Sequence, residues 1–118
     1  MKNSSNPTGR ESKKLNYHGF AVSREQIAAF CRRWKITELS LFGSALRGDF
    51  REDSDIDILV NFSGDADWKL DELVEMKEEL EKMLKHPVDL VEKRLIETSP
   101  NYIRRKHILE HMETIYVA

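Results

Sequence analysis

The sequence predicts an α+β fold, an α/β arrangement in which a small mixed β-sheet is flanked by helices. Three observations support this prediction. Apolar residues recur with helical spacing in three segments, and short apolar runs rich in β-branched residues lie between those segments. The resulting order is helix, strand, strand, helix, strand, helix. At 118 residues the chain has the length of one ordinary domain, which is enough for a single core.

The N-terminal segment has a different composition from the rest of the chain. Residues 1–19 combine Asn, Ser, Pro, Gly, Lys and Arg with few apolar side chains, so this segment has little to bury. We predict a flexible N-terminal tail over 1–19 and one folded domain over 20–118.

The first half of the domain is predicted to contain one helix and two strands. Ser23 begins a capping-box pattern that marks the start of the helix. The apolar stripe of this helix consists of Ile27, Phe30, Cys31 and Trp34. The run 36–42 is predicted as a strand that closes at Gly43, and the polar stretch 45–54 turns the chain back. The run 55–62 forms the second strand, whose continuous apolar centre predicts burial on both faces.

The second half is predicted to contain a helix, a strand and a last helix. The segment 69–85 has helical periodicity. Its predicted buried side consists of Leu70, Leu73, Val74, Leu80 and Leu84. Pro87 ends this helix, and 88–91 forms a short third strand. Ser99 and Pro100 suit the cap and the first turn of a last helix. The apolar stripe predicted for that helix consists of Ile108, Leu109, Met112, Ile115 and Tyr116.

Composition restricts the classes of function. The formal net charge is −2, from 19 basic and 21 acidic residues, so no strong global field favours binding to nucleic acid or to anionic lipid. The single cysteine, Cys31, cannot form an internal disulfide and is predicted to be a buried thiol. Neither a membrane-spanning apolar run nor the apolar core of a secretory signal is present in the sequence. We therefore expect a cytoplasmic protein that binds neither membranes nor nucleic acid directly.

Three aspartates are candidate metal ligands and catalytic groups. Asp55 and Asp57 lie two positions apart in a predicted strand, so their side chains leave the same face, with α-carbons roughly 6.6 Å apart. An uncompensated carboxylate in an apolar run costs several kcal/mol, which favours a bound cation, and Mg²⁺ prefers oxygen ligands. Asp89 lies in a similar apolar run of the third strand. If the two strands pair, three carboxylates can hold two Mg²⁺ ions, the arrangement that stabilises both oxygens of a phosphoryl transfer. Asp89 would then reach the incoming hydroxyl as a ligand or as a base.

A candidate phosphate-binding segment follows the first strand. Gly43 and Ser44 lie at its C-terminal end, where a residue without a side chain lets backbone N–H groups approach an anion closely. Ser44 adds a hydroxyl donor. Arg47 follows within the same turn, and its guanidinium can pair with phosphate oxygens or make an ordinary ion pair.

Together these residues resemble a known family. Gly43-Ser44, ten intervening residues and then Asp55-Ile56-Asp57 reproduce the GS-x10-DxD pattern of the DNA polymerase β-like nucleotidyltransferases. The surrounding segments GSALRG, SDIDILV and VDLV are similar to those of the minimal nucleotidyltransferases, often the antitoxins of HEPN toxin-antitoxin pairs. The resemblance covers about residues 20–118 and implies the polymerase β-like fold.

The resemblance also implies an activity. It assigns metal binding to Asp55, Asp57 and Asp89, and binding of the triphosphate to Gly43 and Ser44. Family members of this kind transfer AMP from ATP, in some cases to a tyrosine of the partner toxin. The expected function is therefore a Mg²⁺-dependent protein adenylyltransferase that acts as a type VII-like antitoxin on a HEPN-domain toxin.

Two other functions remain open at the level of sequence. One alternative is a binding antitoxin without catalysis. The other is an enzyme that modifies a small hydroxyl compound such as an aminoglycoside, although the relatives that do so generally carry a further substrate domain. Neither the base preference nor assembly into homo- or hetero-oligomers can be predicted. His107 and His111 have the spacing of some zinc sites, but solvent exposure is the favoured interpretation because the rest of the motif is absent.

Overall fold

The computed structural model describes residues 14–17, 20–46 and 54–118. In chain order its elements are β1 (Lys14–Tyr17), β2 (Phe20–Ser23), α1 (Arg24–Arg33), β3 (Ile36–Phe42), a 3₁₀ turn (Gly43–Leu46), β4 (Ile56–Phe62), α2 (Leu70–Leu84), β5 (Val88–Glu92), α3 (Lys93–Glu97), α4 (Tyr102–Glu110) and β6 (Glu113–Val117).

The main sheet has four strands in the order β5-β4-β3-β6. Strands β4 and β5 are parallel, whereas β3 is antiparallel to both of its neighbours, β4 and β6. A separate antiparallel pair is formed by β1 and β2. The predicted fold class, a small mixed sheet flanked by helices, is therefore confirmed.

The sheet is buried on both faces, as the apolar centre of β4 predicts. Ile56, Ile58 and Val60 pack in the larger core cluster with α1, α2 and β2. Leu59, which points to the opposite face, packs in a smaller cluster against Ile96 of α3 and Ile108 of α4. Alternate residues of one strand thus serve two cores, and this central position gives the N-terminus of β4 a rigid support.

The start of α1 follows the predicted capping pattern. The Ser23 hydroxyl accepts a hydrogen bond from the backbone N–H of Gln26 at 3.3 Å and occupies the N-cap. The predicted apolar stripe of this segment is buried, and Cys31 lies within it. Trp34 packs edge-on against Trp68 with ring centroids 5.3 Å apart, and the Trp68 indole N–H donates to the Trp34 carbonyl at 2.8 Å.

The buried side of α2 differs from the prediction. Met76, Leu80 and Leu84 are buried, but Leu70 is 74% exposed and Val74 is 47% exposed. Helical spacing places all of these residues within one broad stripe. The predicted Leu73 also packs against the larger core cluster, so Leu70 and Val74 are the two residues of the predicted stripe that do not. The helix ends where Lys85 adopts a left-handed conformation (φ 59°), two residues before Pro87.

The C-terminal segment is the largest correction to the predicted fold. The last helix begins after Asn101, whose side chain caps it, and it ends at Glu110. Residues 113–117 form strand β6 and do not continue the predicted helix. Their composition, with Thr114, Ile115, Tyr116 and Val117, favours a strand, and Ile115 packs in the larger core as a residue of the sheet. The short helix α3 was also not predicted.

The predicted N-terminal boundary is also shifted. Strand β1 pairs with β2 from Lys14↔Ser23 to Tyr17↔Phe20, so the folded structure includes part of the segment predicted as a tail. Backbone pairing of this kind needs no apolar composition, which explains why the sequence does not indicate it. Residues 1–13 lie outside the described residues.

No helix in the described part of the chain combines the length and the apolar composition needed to span a membrane.

Candidate active site

Three strand ends meet at one edge of the sheet. Strands β4 and β5 are parallel and begin at this edge, and β3, which runs the other way, ends there. The register pairs Phe42 with Asp57, and Asp57 with Asp89. Since paired residues on neighbouring strands lie about 4.8 Å apart and point to the same face, the topology places the carboxylates of Asp57 and Asp89 side by side.

The carboxylates lie on the face that α3 and α4 partly cover. Asp57 is two residues before Leu59, so its side chain points toward the smaller core cluster on that face. Phe42, the cross-strand partner of Asp57, packs in the same cluster. Asp57 is half-buried, whereas Asp89 is exposed. The site is therefore a partly covered edge with one carboxylate set into it and the other open to solvent.

Gly43 is held directly against Asp57. Its φ is +76°, in the left-handed region that favours glycine. A β-carbon placed at this position would overlap Oδ2 of Asp57 and lie 3.1 Å from its Cγ. Any side chain here would displace the carboxylate, so the structure gives the glycine of the GS-x10-DxD pattern a steric reason.

The third carboxylate is less closely placed. Asp55 is exposed and lies one residue before β4, where the Ile56 N–H donates to the Pro87 carbonyl at 2.8 Å. Within the residues that the structure describes, no three Asp, Glu, His or Cys side chains converge closely enough to hold a metal ion. The structure brings Gly43, Asp57 and Asp89 together and leaves Asp55 beside them.

The donor set nevertheless fits Mg²⁺. This ion is typically held by one or two carboxylates, with substrate phosphates and water in its remaining positions. Asp57 and Asp89 supply that number, and their strands place them in register.

The predicted phosphate-binding residues are placed in part. Gly43 begins the 3₁₀ turn that follows β3, and the backbone of Ser44 continues this turn. Arg47 lies outside the described residues. The structure thus places Gly43 against Asp57 and the backbone of Ser44 one residue further along the turn.

Two residues that the sequence analysis did not single out hold the start of β5. Oε2 of Glu81 accepts hydrogen bonds from the Val88 N–H and from Lys77 Nζ, each at 3.0 Å. The bond from Val88, followed by that from Lys77, lowers the pKa of Glu81. The bond to Glu81 raises the pKa of Lys77, and the nearby charges of Asp55 and Asp89 raise it further. An i, i+4 Lys–Glu pair is common on exposed helix faces, so the pattern alone does not indicate this role.

The exposure predicted for His107 and His111 is confirmed, but the rings are not independent. They stack with centroids 4.4 Å apart, and the His111 Nδ1–H donates to the His107 carbonyl at 2.7 Å. Both residues lie on the side of α4 that faces the end of β3, where they line a pocket beside Gly43.

Sequence comparison gives a consistent family assignment. A family model described as "Nucleotidyltransferase domain" matches residues 23–113. The chain is 44% identical over 61 residues to protein adenylyltransferase MntA of Thermococcus cleftensis, a match covering 52% of this chain and 60% of that protein. It is 42% identical over 64 residues to MJ1379 of Methanocaldococcus jannaschii, a provisionally named protein adenylyltransferase, covering 54% of this chain and 64% of that one. The matches thus span about 60% of each relative.

Solved structures give the same fold. A minimal nucleotidyltransferase, named as such provisionally, is 34% identical with a TM-score of 0.59 and is matched over 75% of this chain and 85% of its own. A toxin-antitoxin crystal structure with AMP-PNP is 24% identical with a TM-score of 0.62, covering 80% of this chain and 73% of that one. A tri-AMPylated Shewanella oneidensis HEPN toxin in complex with MNT antitoxin is 22% identical with a TM-score of 0.55, covering 80% and 70%.

The edge formed by Gly43, Asp57 and Asp89 lies inside the matched region, residues 23–113. The resemblance seen in the sequence is therefore confirmed: the chain belongs to the nucleotidyltransferase domain family, among its minimal members.

Proposed function

We propose that this protein is a Mg²⁺-dependent adenylyltransferase that transfers AMP from ATP to a hydroxyl group of a protein. The observation that carries the proposal is the register Asp57↔Asp89 at an edge where Gly43 lies against the Asp57 carboxylate. Two oxygen-rich side chains beside a turn of accessible backbone N–H groups suit a metal-bound triphosphate.

Each residue has a role in this proposal. Asp57 and Asp89 would hold Mg²⁺ on the triphosphate, with Asp55 as a further ligand beside them, and the backbone N–H groups of Gly43 and Ser44 bind its outer phosphates. Bound Mg²⁺ would neutralise the charge that develops on the phosphate oxygens. As the oxygen of the acceptor hydroxyl forms a bond to the α-phosphorus, the Asp89 carboxylate accepts the hydroxyl proton. The bond between the α-phosphorus and its bridging oxygen breaks, and pyrophosphate leaves.

The acceptor is proposed to be a tyrosine of a HEPN-domain toxin, and the reaction would neutralise that toxin in the cytoplasm. Two relatives are named protein adenylyltransferases: MntA of Thermococcus cleftensis, and MJ1379 of Methanocaldococcus jannaschii, for which the name is provisional. A structural neighbour of the same fold was solved in complex with an AMPylated HEPN toxin. This protein would then act as the antitoxin of a pair, and the hydroxyl would come from the partner.

The test uses ATP labelled either on the α-phosphate or on the γ-phosphate, incubated with the full chain and the proposed HEPN-domain partner. The α-label is expected to appear on the partner and the γ-label in pyrophosphate. Asp57→Asn is expected to abolish transfer, because the remaining amide cannot balance the metal charge, and Asp67→Asn, an exposed carboxylate outside the site, serves as the matched control. Undiminished transfer by Asp57→Asn would disprove the mechanism.

A non-catalytic antitoxin is the second candidate. It is favoured by the absence, among the described residues, of three converging metal-binding side chains. In that case the Asp57→Asn protein would still neutralise the partner, and the partner would remain unlabelled. The neutralisation assay therefore separates the two functions.

A further inference from the structure

A pocket of about 490 Å³ opens next to the proposed phosphate-binding turn. Its walls come from the end of β3, the 3₁₀ turn, α4 and the start of β6. Gly43 lines this pocket and also lies against Asp57. The pocket is therefore adjacent to the carboxylates, with Gly43 between them. The volume lies within the range of roughly 300–1,000 Å³ that is usual for small-ligand sites.

The lining is mostly apolar. Phe42, Leu46, Ile108 and Met112 form the walls, and Phe42 and Ile108 also belong to the smaller core cluster. A polyphosphate placed against these side chains would lose hydration without compensation. The walls instead suit a flat, weakly polar group that is attached to the phosphates, such as a nucleobase.

The polar side of the pocket comes mainly from α4, and Glu113 at the start of β6 adds one carboxylate. The stacked rings of His107 and His111 offer a planar surface for base stacking, and Arg104 lies beside them. The His111 Nδ1 faces the His107 carbonyl, which can only accept a hydrogen bond. In the neutral imidazole Nδ1 therefore carries the hydrogen, which leaves Nε2 as an acceptor. An acceptor nitrogen at His111 can take a hydrogen bond from the exocyclic amino group of adenine. It would repel the carbonyl oxygen that guanine has in the same position, because both atoms are acceptors.

The position of the pocket assigns it to the nucleotide donor. In the strand order β5-β4-β3-β6, Asp89 lies on β5 and Asp57 lies on β4. The pocket lies where β3 ends and β6 begins, so Asp89 and the pocket are on opposite sides of Asp57. The acceptor hydroxyl is proposed to approach at Asp89. A ligand that contacts Gly43 and Asp57 from the pocket side is therefore the donor.

We propose that this pocket holds the adenine base of the donor nucleotide, stacked beside His107 and His111, with His111 selecting adenine. The inference rests on the proposed function, because it takes the phosphates to lie at Gly43. It adds the residues that select the donor, for which the sequence pattern contains no signal.

The test compares two ligands, Mg-ATP and Mg-tripolyphosphate, by isothermal titration calorimetry. The double variant His107→Ala/His111→Ala is expected to weaken ATP binding about tenfold, the effect of losing a base-stacking partner, and to bind tripolyphosphate as the unmodified protein does. Lys106→Ala is the matched control, since Lys106 is exposed on the same helix and does not line the pocket. His111→Phe keeps a ring and is expected to lose the preference for ATP over GTP.

The alternatives give different results. An equal loss of ATP and tripolyphosphate binding in the double variant would show that the pocket holds phosphate. Unchanged ATP binding with slower transfer to the partner would assign the pocket to the acceptor. Either result overturns the inference, whereas a failure of the unmodified protein to bind both ligands would contradict the proposed function itself.

Discussion

Gly43 and Asp57 constrain one another at the end of β3. The left-handed φ of Gly43 turns the chain into the 3₁₀ segment, and the missing β-carbon leaves room for the Asp57 carboxylate. The ten-residue spacing of the motif therefore corresponds to a direct contact, because β3 and β4 are antiparallel neighbours. The sequence identifies both residues through the family pattern, but only the structure supplies the steric reason.

Gly43→Ala is expected to reduce both stability and Mg²⁺ binding. The added methyl group meets the Asp57 carboxylate, and the left-handed backbone adds strain, together about 1–3 kcal/mol. Gly64→Ala is the control, since nothing lies within 4 Å of a β-carbon there. Urea unfolding of both variants checks the prediction, and equal stabilities would contradict it.

Cys31 supplies a prediction about pH. Burial raises the pKa of its thiol from 9.0 to about 12, and the nearby Arg32 charge opposes this shift. Because the folded-state pKa is the higher one, the stabilisation is complete below pH 9 and is lost as pH rises toward 12. The free energy of unfolding should fall less steeply above pH 9 in Cys31→Ala than in the unmodified chain, and parallel pH profiles would refute this.

Among the elements, β5 depends on α2 for its position. The Glu81 carboxylate accepts a hydrogen bond from the N–H of Val88, the first residue of β5 and the one before Asp89. Glu81 is itself held by Lys77, whose charge lies near that of Asp89. Glu81 is thus a positioning residue for the Asp57–Asp89 pair. It contacts the backbone of the strand and has no role in the reaction itself.

Glu81→Ala is expected to weaken Mn²⁺ binding, measured by electron paramagnetic resonance, because the start of β5 loses its acceptor. Glu81→Gln retains an acceptor oxygen for Val88 and should recover most of the affinity. Glu75→Ala, on an exposed part of the same helix, is the control. If Glu81→Gln and Glu81→Ala weaken Mn²⁺ binding equally, the loss comes from the missing charge of Glu81 and not from the missing hydrogen bond to β5.

The elements also show where sequence patterns stop being informative. Apolar spacing identifies α1, β3 and β4 because each keeps one pattern over its whole length. The stripe from Ile108 to Tyr116 has helical spacing by coincidence, since it continues from α4 into β6. Pairing partners cannot be derived from such patterns, so the approach of Asp89 to Asp57 was only conditional in the sequence.

For the whole molecule, the sheet separates structural and chemical roles. One face packs against α1, α2 and β2 in the larger core, and the other is partly covered by α3 and α4. The proposed reaction lies on this second face, at the edge where β3 ends and β4 and β5 begin. Composition predicts one domain of this class, whereas the α4 pocket depends on contacts between distant parts of the chain.

Asp57 and Asp89 are proposed to bind one divalent cation beside Gly43. The most direct measurement is anomalous X-ray scattering from crystals of the protein grown with Mn²⁺ and a non-hydrolysable ATP analogue. We predict an anomalous peak in contact with a carboxylate oxygen of Asp57, a carboxylate oxygen of Asp89 and a phosphate oxygen. A nucleotide bound with no metal at these two side chains would disprove this assignment of the metal site.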